Sequence, residues 1–375
     1  MLRTYFKSPP QQRNNRLLMP QLSHSRNTQN PTRITTQIPT QKNLLKSAPL
    51  RDVLLATAPQ TLSQATEITS TVVATQDTTQ ISQTAPHSWK TVPTQSITAA
   101  GVDFAYRELG KQNGGTPVIF LAHLAAVLDN WDPRIIDGIA AKHHVIAFDN
   151  RGIGASSGTP SGSIEGMADD AIHFIQSMGF QQVDLMGFSM GGMITQEIVL
   201  KEPQLIRKMV LTGTGPAGGE GIRSVAGVTF YDMLRGFLTG QDPKQFLFFT
   251  RTPQGIAAGK AFLTRLNERA ENRDKKISTR AFLAQLSALR AWGAKAPADL
   301  SIIKQPVLVA NGDHDRMVPT PNTYDLAKRL PNSQLIIYPD AGHGGVFQFH
   351  EQFVPSVLTF LSQPHNGELK PAMAP

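Results

Sequence analysis

Ser189 stands in the run Gly187-Phe188-Ser189-Met190-Gly191-Gly192. The run Val183-Asp184-Leu185-Met186 before it reads as a buried strand, and residues 193–200 after it read as a helix. A serine with a glycine two residues away on either side, on a strand-to-helix turn, is a nucleophile elbow. The turn is so sharp that the helix nearly meets the strand, so Gly187 and Gly191 must lack side chains. Ser189 is then held in a strained backbone conformation with its hydroxyl above the sheet. The five-residue string alone arises by chance; the strand before it and the helix after it give it force.

Further apolar runs of strand length follow the same logic: 118–122, 144–148, 209–211, 307–309 and 335–338. Residues 97–109 read as a hairpin turning near Ala100-Gly101. Near-continuous apolar runs alternating with helical stretches indicate a mostly parallel sheet with helices on both faces. The helices are expected at 129–141, 164–178, 190–202, 322–329 and 351–361. Between Gly215 and Leu300 the rhythm breaks, with amphipathic helix patterns and no convincing strand. A helical insertion there, about residues 216–299, has the shape of a cap over the sheet. Its aromatics Phe230, Tyr231, Phe237, Phe246, Phe248 and Phe249 are expected to form mainly the cap's own core, with one or two facing a ligand. The charged run from Arg265 to Lys276 is expected to be a solvated face.

The net charge of +8 would suit a nucleic-acid partner, but its location argues otherwise. Residues 1–95 hold ten Lys/Arg and three Asp/Glu, whereas the remainder holds 26 and 25. The basic character therefore belongs to a Gln/Thr/Ser-rich tail, whose aromatics are Tyr5, Phe6 and Trp89 without interleaving among the basic residues, and which is expected to be disordered. Its acid-free start has the composition of an organelle transit peptide. Pro9, Pro10 and Pro20 interrupt any amphipathic helix there and favour a plain unstructured extension. The expected compartment is the cytoplasm, with import through this tail as the alternative. Residues 363–375 are expected to be a second flexible tail. No apolar run reaches the roughly 18 residues that a membrane-spanning helix needs, so no membrane association is expected. With no cysteine, thiol catalysis and cysteine-held metals are excluded.

A serine hydroxyl needs a base within hydrogen-bond reach, and the base needs an orienting acid. On an α/β sheet with an elbow the chain order is nucleophile, acid, base, each at the C-terminal end of a strand. The acid lies in Asn311-Gly312-Asp313-His314-Asp315, where Asp313 and Asp315 compete. A metal site at Asp313-His314-Asp315 is a weaker reading, because adjacent side chains in an extended loop point apart. The base is His343, in Ala341-Gly342-His343-Gly344, directly after the strand ending at Tyr338. Oxyanion donors are expected from the backbone N–H of Met190, at the start of the elbow helix, and from the loop His123-Leu124-Ala125. The turn Asp149-Asn150-Arg151-Gly152-Ile153-Gly154-Ala155-Ser156 is no dinucleotide loop, since the third glycine of that fingerprint would fall on Ser157. Asp149 and Arg151 are expected to tie that turn down. No cofactor is expected.

Over about residues 96–362 the chain resembles the α/β-hydrolase superfamily. The resemblance rests on the elbow, the Asp149–Ser156 turn, the acid loop from Gly312 to Pro319 and the Gly342-His343 base loop. In such proteins the acid is commonly the Asp three residues after the loop glycine, which implies Asp315. The oxyanion loop usually reads His-Gly-x with x donating, which implies Ala125; here Leu124 replaces the glycine. The elbow is similar to that of small esterases, enol-lactonases and cofactor-free haloperoxidases. Ser189 argues against epoxide hydrolases and haloalkane dehalogenases, which carry Asp there. The resemblance implies a serine hydrolase acting on a small ester, lactone or thioester, with a small-molecule acyl substrate and water as partners. Two alternatives use the same residues: hydrolysis of a carbon–carbon bond in a β-diketone-type substrate, and a catalytically inactive ligand-binding protein.

Overall fold

Eight strands form a single sheet in the order β1-β2-β4-β3-β5-β6-β7-β8. They are β1 (Gln95–Ala99), β2 (Val102–Leu109), β3 (Val118–Leu121), β4 (Val145–Phe148), β5 (Val183–Phe188), β6 (Ile206–Thr212), β7 (Val307–Gly312) and β8 (Ser333–Tyr338). The structure is a computed structural model and describes residues 88–364. The tail readings for residues 1–87 and 365–375 lie outside the described residues. β1 and β2 form the expected hairpin, and β2 runs antiparallel to β4. Every other pairing is parallel.

Alternation along each strand sends its side chains to two separate cores. Ile119, Leu121, Ile146 and Leu185 pack on one face; Val118, Phe120, Val145 and Met186 pack on the other. The first face is covered by α2 (Ile164–Ser177), α3 (Met190–Lys201) and α8 (Pro321–Arg329), the second by α1 (Pro133–Ala140), α9 (Gly345–Gln348) and α10 (His350–Ser362). The helix expected from residue 129 begins only at Pro133, where proline's fixed φ suits the first helical position and the Asp132 carboxylate accepts the Arg134 N–H. Residues 128–130 form a separate 3-10 turn. Among the described residues no helix is long and apolar enough to cross a membrane.

Between β6 and β7 the chain builds four helices and no strand: α4 (Val225–Thr239), α5 (Lys244–Phe248), α6 (Pro253–Leu266) and α7 (Thr279–Ala294). α6 and α7 start on side-chain caps, Thr252 and Ser278, each accepting an N–H three residues on.

Three expectations are corrected here. The folded part begins before residue 96: Trp89 and Val92 are buried, and the Trp89 N–H donates to Asp137 Oδ1 at 2.6 Å. The run from Arg265 to Lys276 is not simply a solvated face. Arg265 pairs with buried Asp132 at 2.7 Å, and buried Arg269 donates to the carbonyls of Trp89 and Val92 at 3.2 and 2.9 Å. Asp274 pairs at 2.8 Å with Arg107, which is fully buried and also pairs with Asp129 at 2.8 Å. Burial pushes the Asp274 carboxyl up to about 6. The cap aromatics also divide. Phe246, Phe248 and Phe249 are buried, but Phe230, Tyr231 and Phe237 of α4 are exposed.

Candidate active site

The turn after β5 is as tight as its glycines require. A Cβ on Gly191 would fall 1.8 Å from the Leu121 carbonyl oxygen, and one on Gly187 would fall 2.5 Å from the Gly191 oxygen. Between them Ser189 adopts φ 57°, ψ −116°, and its N–H donates to the Thr212 carbonyl of the neighbouring strand at 2.8 Å. Such backbone strain costs ~1–3 kcal/mol and persists only where the surroundings fix it. Here the β5–β6 pairing and the helix packed on β3 supply that constraint.

The acid loop leaves the end of β7 and separates the two competing aspartates. Asp313 Oδ1 accepts from the Ala341 N–H at 3.1 Å and pairs with exposed His314 at 2.5 Å. Asp315 turns inward, and its Oδ2 receives His343 Nδ1 at 2.7 Å. Its Oδ1 accepts the N–H groups of Met317 and Val318 at 2.8 and 3.0 Å, and Oδ2 also accepts from Asn311 Nδ2, the fourth donor, at 3.1 Å. Four donors around one carboxyl suit the ionised form. They also require Nδ1 of His343 to carry the proton and leave Nε2 with its lone pair.

His343 follows β8 and is buried against Phe188 and Phe248, ring centroids 4.9 and 5.5 Å away. Gly213 makes room for it: a Cβ there would lie 2.8 Å from the Phe188 ring and 3.3 Å from His343 Cε1. Ser189 and His343 line one cavity of about 460 Å³, walled mainly by Leu124, Phe230, Met233, Leu247, Phe248 and Met317. Among the described residues the Ser189 hydroxyl makes no hydrogen bond to a protein group. Catalytic hydrogen bonds in free enzymes are often long and tighten only with substrate.

The Met190 N–H opens α3, where the first-turn donors have no partner within the helix. Ala125 is a correction. Its N–H donates to Gln285 Oε1 at 2.9 Å, and Gln285 belongs to α7 and does not line the cavity that holds Ser189. Ala125 and the neighbouring Leu124 both line that cavity, and of the two only the Leu124 N–H has no partner among the described residues. Ala125 adopts φ 63°, so the loop turns sharply at the residue after Leu124. His123 Nδ1 lies 2.8 Å from the Leu124 carbonyl, and complete burial pushes its imidazole down to about 3, so it stays neutral.

The turn after β4 is tied down as expected. Asp149 Oδ1 accepts the Leu128 N–H at 3.0 Å, and Arg151 pairs with Asp170 of α2. Two supporting residues escaped the sequence reading. Asn311 precedes the acid-loop glycine and bridges Asp315 to Thr323, 3.0 Å from its hydroxyl. Gln285 reads as one polar residue in an amphipathic helix; nothing in its spacing marks a partner 160 residues away.

Comparison with known proteins agrees with this architecture. The family model for the alpha/beta hydrolase fold matches residues 116–349. A solved alpha/beta hydrolase fold protein from Chitinophaga pinensis is 37% identical, covering 74% of this chain and 100% of its own, with a TM-score of 0.70. "Putative non-heme bromoperoxidase BpoC" of Mycobacterium tuberculosis is 25% identical over 278 residues, 70% of this chain and 98% of that protein. "Putative carbamate hydrolase RutD" of Caulobacter sp. is 26% identical over 269 residues, 70% of this chain and 97% of that protein. The chain belongs to the alpha/beta hydrolase family.

Proposed function

We propose that the protein is a serine hydrolase that cleaves small esters, lactones or thioesters through an acyl-enzyme on Ser189. The reading rests on one observation: the 2.7 Å hydrogen bond from His343 Nδ1 to Asp315, with His343 lining the same cavity as Ser189. Nε2 of His343 takes the Ser189 proton as Oγ attacks the substrate carbonyl carbon. The Met190 N–H and, from the loop after β3, the Leu124 N–H stabilise the oxyanion; losing one such donor typically costs ~2.7–4 kcal/mol of barrier stabilisation. His343 then returns the proton to the departing oxygen or sulfur, and a water activated by the same nitrogen releases the acid. Leu124, Leu247, Phe248 and Met317 favour an uncharged, apolar acyl group. The relative named for carbamate hydrolysis makes carbamates a reasonable addition to the substrate panel.

A fluorophosphonate probe tests the reading. Labelling is expected at Ser189 and is expected to vanish in Ser189→Ala. An unlabelled, folded wild type would count decisively against it. A panel of esters, lactones, carbamates and a ring-fission dienone then fixes the bond cleaved.

A further inference from the structure

The cap helix α4 is built inside out. Its inward stripe is Val225, Thr229, Asp232 and Gly236, two of them polar, and Asp232 is fully buried in an ion pair with Arg316 at 3.0 Å. Its outward face carries Phe230, Tyr231, Met233, Leu234, Phe237 and Leu238, with Phe237 83% and Leu238 73% exposed. Those positions recur at the spacing of one helical stripe, which normally faces a core. An apolar patch of this kind marks a binding surface. It runs into the catalytic cavity: Phe230 and Met233 line both, as does Leu283 of α7, which is exposed, and Phe230 meets Phe282 of α7 at 6.1 Å.

Charge decides what covers it. Residues 216–299 hold 13 Lys/Arg and seven Asp/Glu, a net of +6. The remainder of residues 96–375 holds 13 and 18, a net of −5. Exposed Lys275, Lys276 and Arg280 stand beside the cavity-lining residues Ile277, Ser278 and Thr279. Arg265, Arg269, Arg273 and Lys295 pair with Asp132, Asp129, Glu165 and Glu197 outside the cap. The surplus that is left is still basic, and a second copy would set two basic caps face to face. The segment 1–87 has nine Lys/Arg and three Asp/Glu and would be repelled as well. A bilayer carrying anionic lipid satisfies both features, because basic residues attract its headgroups while an apolar helix face enters the acyl boundary. We propose that the outer face of α4 seats the protein on an anionic lipid surface. On the reading of Ser189 as the nucleophile, this docking turns the cavity mouth toward apolar substrates dissolved in the bilayer. The docking itself does not depend on that chemistry.

The test is flotation of the full chain with phosphatidylcholine vesicles, with and without phosphatidylglycerol, at low and raised salt. Binding is expected only to the anionic vesicles, weakening as salt rises. Replacing both Phe237→Asp and Leu238→Asp is expected to weaken it at least about tenfold without changing the melting curve. Ile302→Asp, an exposed apolar residue outside the cap helices, is expected to bind as wild type does. Three results would overturn the proposal. The wild type could ignore anionic vesicles. The double variant could bind undiminished, assigning the contact to the basic N-terminal segment. Sedimentation could show a dimer that the double variant dissociates, assigning the face to a second copy. Because Ser189→Ala should float like wild type, failure of the catalytic reading and failure of this one are separable.

Discussion

Gln285 Oε1 accepts the Ala125 N–H at 2.9 Å, fastening cap helix α7 to the loop that follows β3. Gln285 is buried, and Ala125 sits at φ 63° in the left-handed region, which an alanine enters only when held. The contact therefore holds the loop that carries Leu124, and it couples the cap to the oxyanion donor proposed there. Gln285→Ala is expected to lower kcat on a short-chain ester by about tenfold, because misplacing one oxyanion donor weakens the transition state more than the ground state. KM should change little. Gln285→Glu keeps the acceptor oxygen and should recover part of kcat. A merely structural role would lower the melting temperature and leave kcat of the folded protein intact.

Asp315→Asn tests the orientation of the base. The Met317 and Val318 N–H groups hold Oδ1 and keep the substituted carbonyl oxygen on their side. The new amide nitrogen then replaces Oδ2 opposite His343 Nδ1, gives up the bond that Asn311 Nδ2 made to Oδ2, donates to Nδ1, and forces the proton onto Nε2. An imidazole in that tautomer cannot accept the Ser189 proton. The expected fall in kcat/KM is on the order of 10⁴. Asp313→Asn, whose carboxyl caps the Ala341 N–H, should leave ester hydrolysis near the wild-type rate. If the two variants lose activity equally, the acid has been misassigned.

The parallel strands were legible because burial on both faces makes them continuous apolar runs: Val118–Leu121 and Val145–Phe148 are buried at every position. The elbow was legible because its glycines answer to local sterics alone. What escaped depends on partners distant in sequence. Arg265 looks solvated until Asp132 is found beside it, 133 residues earlier. Ala125 was assigned by its position in a family motif, and a motif does not say which way an N–H points. α4 was misread for a different reason. Counting aromatics assumes that apolar stripes turn inward, and in this helix the stripe turns outward over Asp232.

Arg107 is fully buried and divides its guanidinium between Asp129 and Asp274, joining β2 to the loop between α6 and α7. Asp129 and Asp274 also exchange backbone N–H to carboxylate bonds, each 2.8 Å. Arg107→Met would leave two carboxylates facing each other without their buried cation. Breaking a buried pair in this way costs ~3–5 kcal/mol. The variant is therefore expected to show a much lower urea midpoint than wild type. Adding Asp274→Asn removes one of the stranded charges and should restore part of the loss. If the single variant matches wild type, Arg269 and Arg273 already neutralise the site; they lie 3.7 and 3.5 Å from Asp129.

His123 makes acid sensitivity a property of the fold. Burial holds its imidazole near 3, against an ordinary value of 6.5, and its Nε2 has no protein partner that would favour a proton. The folded chain therefore prefers neutral His123, whereas the unfolded chain protonates it freely. That preference stabilises the fold fully above pH 6.5 and is lost progressively as pH falls from 6.5 toward 3. By pH 5 the loss from this residue alone is about 2 kcal/mol. His123→Asn places an amide N–H where Nδ1 stands, so the contact to the Leu124 carbonyl is kept while the titration is removed. The variant should be less stable than wild type near pH 8 through lost packing against Phe188 and Phe248, whose centroids lie 5.4 and 5.2 Å from the imidazole. Its stability should nevertheless fall less between pH 6.5 and 5. Urea titrations of both proteins at three pH values measure the difference, and parallel pH curves would show that His123 does not carry this dependence.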